Sequence, residues 1–177
     1  LDYAKYKVGV YVEIKSCDDD TELMGKVLQH AEGVKEANPS FYRDLIDMAE
    51  KDETQNLVLT RKVIDLVRRK IMRRHVTIQS FSPLVCGFVR AEAPELRVEL
   101  LAHVDADSKM TWEKWERWAF LMRVHGFNCN YKALTEGRLE SLQEAGLTVS
   151  PYTVNELEDM KRLVAWGVDG IISDKPD

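Results

Sequence analysis

A carboxylate and an ammonium, Glu13 and Lys15, stand two residues apart at the end of a run that alternates apolar and polar residues. The run extends from Val8 to Lys15 and predicts a β-strand, because successive side chains of a strand point to opposite faces. Glu13 and Lys15 would therefore lie side by side on one face. The carboxylate could hold a divalent cation or act as a general base, and the ammonium could bind phosphate or form a Schiff base. A structural ion pair is the remaining interpretation.

The composition describes an ordinary globular chain and excludes some function classes. It has 177 residues, of which 45% are hydrophobic and 31% are charged, and these values predict one domain over residues 1–177. The formal net charge of −5 argues against general nucleic-acid binding, because no excess of Lys and Arg is available to neutralise a phosphate backbone. No apolar run approaches the roughly 18 residues of a membrane span. The three cysteines have no metal-ligand spacing, so they predict free thiols and slightly favour the cytoplasm, while export stays open.

Strand-like and helix-like segments alternate along the chain, which predicts an α/β fold with parallel strands. Further strands are expected at residues 75–81, 96–103, 148–154 and 168–174, and residues 126–130 are a sixth candidate. A helical insertion is expected at about residues 18–74, between the first two strands. In the last third of the chain, Thr135 and Asn155 are the predicted N-caps of two helices, and Gly146 and Gly167 their predicted C-terminal ends.

Polar residues on the inward face of several predicted strands favour a barrel over a sheet covered by helices on both sides. Strands of a covered sheet are apolar on both faces, whereas the lumen of a barrel accepts polar side chains. The polar residues concerned are Glu13, Lys15, Gln79, Glu99 and Tyr152.

Four motifs, in matching order, resemble the second part of the glycerophosphodiester phosphodiesterase family. They are Tyr11-Val12-Glu13-Ile14-Lys15, Ile78-Gln79-Ser80-Phe81, Tyr152-Thr153-Val154-Asn155 and the segment from Gly167 to Pro176. The resemblance implies a (β/α)8 TIM barrel that hydrolyses a glycerophosphodiester to sn-glycerol 3-phosphate and an alcohol, using Ca²⁺ or Mg²⁺. Spider-toxin-like phospholipases D share the superfamily, but their C-terminal signature is not matched.

The same resemblance assigns roles to individual residues. Glu13 matches the family's metal-ligand glutamate, and Lys15 matches its phosphate-contacting lysine. Gln79 and Phe81 belong to the second motif and are expected to contact the substrate. Tyr152 stands where a tryptophan usually lines the pocket, which keeps an aromatic wall there.

The motifs of the family's first part are absent, so no catalytic residue is assigned in this chain. The sequence has no His-Arg-Gly strand end, Glu-Asn-Thr turn, Glu-x-Asp strand end or second His-Asp pair. Those groups are the general acid, the general base and most of the metal ligands. The prediction is a fragment that is inactive alone, or else a non-catalytic descendant that binds phospholipid head groups or proteins.

The length of the chain also predicts a fragment of a larger barrel. A complete barrel of this kind needs about 250 residues, and this chain has 177. The chain is therefore predicted to be the C-terminal part of a barrel, with about five to six strands and their helices. The open edges of such a sheet would be covered by the missing N-terminal part or by a second copy of the chain.

Overall fold

A computed structural model describes residues 1–5, 7–104 and 110–175, and this part of the chain forms four strands and seven helices. Pro176, the last residue of the fourth motif, and Asp177 lie outside the described residues. In chain order the elements are β1 (Val10–Glu13), α1 (Thr21–His30), α2 (Pro39–Lys51), α3 (Gln55–Arg69), β2 (Val76–Ser80), α4 (Pro83–Glu92), β3 (Arg97–Ala102), α5 (Trp112–Leu121), β4 (Gly126–Cys129), α6 (Glu136–Glu144) and α7 (Leu157–Trp166).

The four strands form one parallel sheet in the order β1-β2-β3-β4, so each strand pairs with the next one along the chain. Each crossover contains at least one helix, as parallel pairing requires. The register places Glu13 opposite Gln79, Gln79 opposite Glu99, and Glu99 opposite Gly126. The predicted α/β fold with parallel strands is confirmed.

The part of the chain that the structure describes contains four regular strands, fewer than the five to six predicted from the sequence. Residues 148–154 lie beside β4 but form only two isolated bridges, at Thr148 and Tyr152. Residues 168–174 lie beside them in turn, where the Ile172 N–H donates to the Pro151 carbonyl over 3.0 Å.

Side chains interrupt these two outer segments. The Ser150 N–H donates to Asn128 Oδ1 instead of to a carbonyl, over 2.8 Å. The Val149 N–H donates to Asp169 Oδ2, also over 2.8 Å. Pro151 has no N–H to donate. Both segments therefore occupy strand positions without forming a continuous backbone ladder.

The two faces of the sheet differ in polarity. In β2, Val76, Ile78 and Ser80 are buried, and the residues between them, Thr77 and Gln79, are only half-buried. Helices pack on the apolar face, where Phe88 of α4 and Trp118 of α5 are almost completely buried. The opposite face carries the polar residues expected of a barrel lumen. No helix within the described ranges is long and apolar enough to cross a membrane.

Three of the four predicted helix ends are confirmed. The Thr135 hydroxyl accepts a hydrogen bond from the backbone N–H three residues later, over 3.3 Å. Gly146 and Gly167 follow their helices with φ of 84° and 85°, the left-handed region that glycine adopts without strain. The prediction for Asn155 is wrong, because Glu156 occupies the N-cap position of α7. Asn155 Oδ1 instead accepts from the Asp174 N–H over 3.0 Å.

The three cysteines have different environments. Cys17 is exposed, and its N–H donates to Asn56 Oδ1 over 2.8 Å. Cys86 and Cys129 are both completely buried. Burial raises the pKa of the Cys86 thiol far above its usual range and that of Cys129 to about 12. Because the thiolate is the reactive species, the two buried thiols should be inert.

We therefore expect iodoacetamide to modify Cys17 alone in the folded protein, and all three cysteines after denaturation. Mass spectrometry of the labelled protein counts and locates the modified residues. A Cys17→Ser variant is the control and should stay unmodified while folded. Modification of Cys86 or Cys129 at a rate comparable to that of Cys17 would contradict the packing described above.

Candidate functional site

Two polar side chains face each other across the first pair of strands. Glu13 is the last residue of β1 and is exposed, and its register partner in β2 is the half-buried Gln79. The Oε1 atom of Gln79 is buried and has no hydrogen-bond partner among the described residues. A buried acceptor without a partner is unfavourable by about 1–3 kcal/mol, so a hydroxyl group or a cation bound here would stabilise it.

The chain between Glu13 and Lys15 is held firmly in place. Ile14 is buried, and its N–H donates to the Gln79 carbonyl over 2.9 Å. The Ile14 carbonyl in turn accepts from the buried Ser80 hydroxyl over 2.6 Å. Glu13 and Lys15 therefore flank an anchored residue, and both of their side chains are exposed.

An aromatic wall completes the set of residues expected from the sequence. The rings of Phe81 and Tyr152 meet edge to face, with their centroids 5.7 Å apart and their planes at 80°. The Tyr152 hydroxyl donates to the Ala102 carbonyl over 2.7 Å, which fixes its ring at the C-terminal end of β3. Phe81 remains 39% exposed, so one side of the pair is open to a ligand.

A buried polar network lies deeper on the same face of the sheet. Glu99 is 1% exposed; its Oε1 accepts from Arg97 Nε and its Oε2 from Asn128 Nδ2, each over 2.8 Å. Arg97 also donates to the Thr148 hydroxyl. Burial, followed by the negative charge of Glu99, raises the pKa of Tyr11. The network thus links β1, β3, β4 and the segment after α6.

Sequence reasoning identified Glu99 as an inward-facing polar residue but missed its partners. The signal for Arg97 was present, because opposite charges two residues apart share one face of a strand. Asn128 lies within the otherwise apolar β4, and no sequence pattern connects it to Glu99. Gly126 gives the network room, since a Cβ atom there would come within 2.9 Å of the Glu99 side chain.

The described residues do not form a metal site on their own. No three His, Cys, Asp or Glu side chains within ranges 1–5, 7–104 and 110–175 are close enough to hold an ion together. Ca²⁺ takes six to eight oxygen ligands, and Mg²⁺ is bound through one or two carboxylates together with water and phosphate. Glu13 supplies one carboxylate, so its role as a metal ligand stays a prediction.

Fold and site together define a segment of an α/β barrel whose strand ends carry a carboxylate, an ammonium and an aromatic wall. The model of the glycerophosphoryl diester phosphodiesterase family matches residues 12–177, and the chain belongs to this family. The resemblance found in the four motifs is confirmed.

Individual relatives agree with this assignment. The glycerophosphodiester phosphodiesterase of Bacillus subtilis is 32% identical over 120 residues, which make up 65% of this chain and 40% of that protein. The protein of the same name from Caldanaerobacter subterraneus is 28% identical over 118 residues, or 66% of this chain and 45% of that protein. The chain thus spans less than half of the length of either relative.

Solved structures show the same fold. A protein from Silicibacter pomeroyi named for the same activity aligns with a TM-score of 0.63 and 27% identity, over 72% of this chain and 44% of that one. A glycerophosphodiester phosphodiesterase from Parabacteroides distasonis aligns with a TM-score of 0.63 over 96% of this chain and 54% of that one, at 17% identity. These neighbours are TIM-barrel enzymes, which confirms the predicted barrel type of the fold.

Proposed function

We propose that this chain forms the phosphate-binding wall of a metal-dependent enzyme that hydrolyses glycerophosphodiesters to sn-glycerol 3-phosphate and an alcohol. Membership of the family supports the reaction type. The observation that carries the proposal is the anchored segment at the end of β1, where Glu13 and Lys15 flank Ile14 beside Gln79.

Each residue then has a distinct role. The Lys15 ammonium, a compact charge with three donors, binds the phosphate group. Gln79 Oε1, which lacks a partner among the described residues, accepts a hydrogen bond from a substrate hydroxyl. Phe81 and Tyr152 cover the carbon atoms of the substrate. Glu13 provides one ligand to Ca²⁺ or Mg²⁺, and the other ligands come from outside the described residues.

The same proposal includes the domain organisation of the chain and the completion of its barrel. Residues 1–177 form one domain, in which about residues 18–74 are an insertion between β1 and β2. The other strands of the barrel come from an N-terminal part or from a second copy of the chain, because the outer edge of β1 has no neighbouring strand among the described residues.

Binding of the product tests these assignments on the chain itself. We expect glycerol 3-phosphate to bind in isothermal titration calorimetry, and the Lys15→Ala variant to bind about tenfold more weakly or worse, because a charge-assisted hydrogen bond is lost. In a Glu13→Gln variant, added Ca²⁺ should no longer strengthen binding. Lys62→Ala removes an exposed lysine on α3 and serves as the control. Unchanged affinity in Lys15→Ala would overturn the assignment of the phosphate site.

A second candidate function is a non-catalytic binding protein for phospholipid head groups or for other proteins. The absence of the family's histidine motifs from this sequence favours it. Assays of binding and of hydrolysis on the natural protein, including any residues before Leu1, distinguish the binding function from the enzymatic one. Binding of glycerol 3-phosphate without any hydrolysis of glycerophosphocholine would support this second function, and hydrolysis would support the first.

A further inference from the structure

A cavity of about 590 Å³ lies between α2, the end of α4 and the turn before β4. Its lining includes Pro94 and Arg123, which precede β3 and β4, so it lies towards the N-terminal ends of these strands. The candidate site described above lies at the opposite, C-terminal ends. Three arginines line the cavity, namely Arg43, Arg90 and Arg123.

Arg90 is the member of this group with unsatisfied hydrogen-bonding capacity. Its Nη1 atom lies 3.4 Å from the Pro94 carbonyl and 3.3 Å from His125 Nε2. Its Nε atom is buried and has no hydrogen-bond partner within the described part of the chain. Leaving a charged donor buried without a partner is unfavourable, so an acceptor brought in by a ligand would stabilise Arg90.

Nearby carboxylates neutralise the three arginines only in part. Glu92 also lines the cavity, but its Oε1 is already bound by Arg61 Nε over 2.8 Å. Glu36 lies 3.6 Å from Arg123, and both side chains are more than half exposed, so this pair is weak. Asp47 is the other acidic residue on the lining. An excess of positive charge remains.

The remaining lining is compatible with a small organic body attached to an anionic group. Ala37, Pro39, Ile46 and Pro94 provide apolar surface. The volume is within the range of about 300–1,000 Å³ that is typical of small-molecule sites. Guanidinium groups match the geometry of phosphate oxygens particularly well, because their N–H donors form a planar fork.

We propose that this cavity is a second binding site, which takes the phosphate group of a small phosphorylated molecule through Arg43, Arg90 and Arg123. The site shares no residue with the candidate site at the C-terminal ends of the strands. It therefore does not depend on the proposed function.

Inorganic phosphate is the probe for the test, and sulfate is a second probe whose charge does not change near neutral pH. Titrations use the Lys15→Ala variant, so that the C-terminal site does not contribute. We expect saturable binding of both anions, and about tenfold weaker binding in each of the further variants Arg43→Gln and Arg123→Gln. Arg69→Gln removes the same charge from an exposed position on α3 and should leave the affinity unchanged.

Two further measurements distinguish a specific site from general attraction. Asp47→Asn removes a carboxylate from the lining and should strengthen phosphate binding. His125 contacts Arg90, and its pKa is lowered by burial, then by the charges of Arg90 and Arg97, with Glu99 acting in the opposite direction. A bound anion should therefore raise the pKa of His125 in an NMR titration.

Three results would overturn the proposal. They are the absence of saturable binding, equal weakening in Arg69→Gln and Arg123→Gln, and binding without any change at His125. Circular dichroism spectra that match those of the parent protein show that a variant which has lost affinity is still folded.

Discussion

The 177-residue chain should release no glycerol 3-phosphate from glycerophosphocholine above the background set by its Lys15→Ala variant. Hydrolysis of a phosphodiester requires groups that move protons, and each positioned acid or base contributes about 10²–10⁴-fold to the rate. In the proposed function Lys15 binds a phosphate group and Glu13 a cation, and neither role transfers a proton. The measurement is an enzyme-coupled assay of glycerol 3-phosphate in the presence of Ca²⁺ or Mg²⁺.

We expect that none of the four histidines supplies the missing acid or base. His30 pairs with Asp44 beside the connection between α1 and α2, and His125 lies before β4 beside Arg90. Neither is at the strand ends that carry Glu13, and His75 directly precedes β2, at the opposite end. His103 follows β3 at the same end as Glu13, but it lacks the neighbouring residues of the family's histidine motifs. Phosphodiesterase activity of the wild-type chain that the Lys15→Ala variant lacks would show that a catalytic group is present in this sequence after all.

Replacement of Glu99 with alanine should lower the free energy of unfolding by about 3 kcal/mol, because a buried charge pair loses one member. The change leaves the buried Asn128 amide without its acceptor and the Arg97 guanidinium without its counterion. Arg97 is 40% exposed, so water compensates for part of the loss on that side. Urea denaturation followed by circular dichroism measures the effect.

Two variants serve as controls for this result. Glu95→Ala breaks a 2.9 Å ion pair with Arg68 whose side chains are both about one-third exposed or more, and should lower the stability by less than about 1 kcal/mol. Glu99→Gln keeps one acceptor and the shape of the side chain, so its effect should lie between those of the two alanine variants. Equal losses for Glu99→Ala and Glu95→Ala would mean that the buried network contributes little to stability.

The limits of the sequence are clearest at the strands. The sequence predicted strands at residues 8–15, 75–81 and 96–103, the first two from their alternation, and the structure confirms strands within each range. The sequence also predicted strands at residues 148–154 and 168–174, but neither segment forms a regular strand. In these segments Asn128 and Asp169 accept hydrogen bonds that backbone carbonyls would otherwise accept. Whether a side chain replaces a backbone carbonyl as acceptor depends on residues from other parts of the chain. The local pattern of apolar and polar residues contains no information about them.

Local patterns were enough for most helix ends but failed at Asn155. Thr135, Gly146 and Gly167 act within their own turns, so neighbouring residues are sufficient to predict them. Asn155 has an equally suitable side chain for an N-cap. Its amide oxygen instead binds the backbone of Asp174, nineteen positions away. A long-range partner thus displaced the local one.

At the end of β1, the sequence by itself determined that Glu13 and Lys15 match the motif of a phosphodiesterase family. It also predicted that they share one strand face, since a strand repeats every two residues, but β1 ends at Glu13 and Lys15 lies beyond it. Only the tertiary structure decided what surrounds them. It placed Gln79 opposite Glu13, with an oxygen that has no hydrogen-bond partner among the described residues. It also brought Phe81 into contact with Tyr152 and joined Glu99 to Asn128 on the same face of the sheet. The reason is physical: register and side-chain pairing depend on how separate strands align, and that alignment is set by packing of the whole sheet.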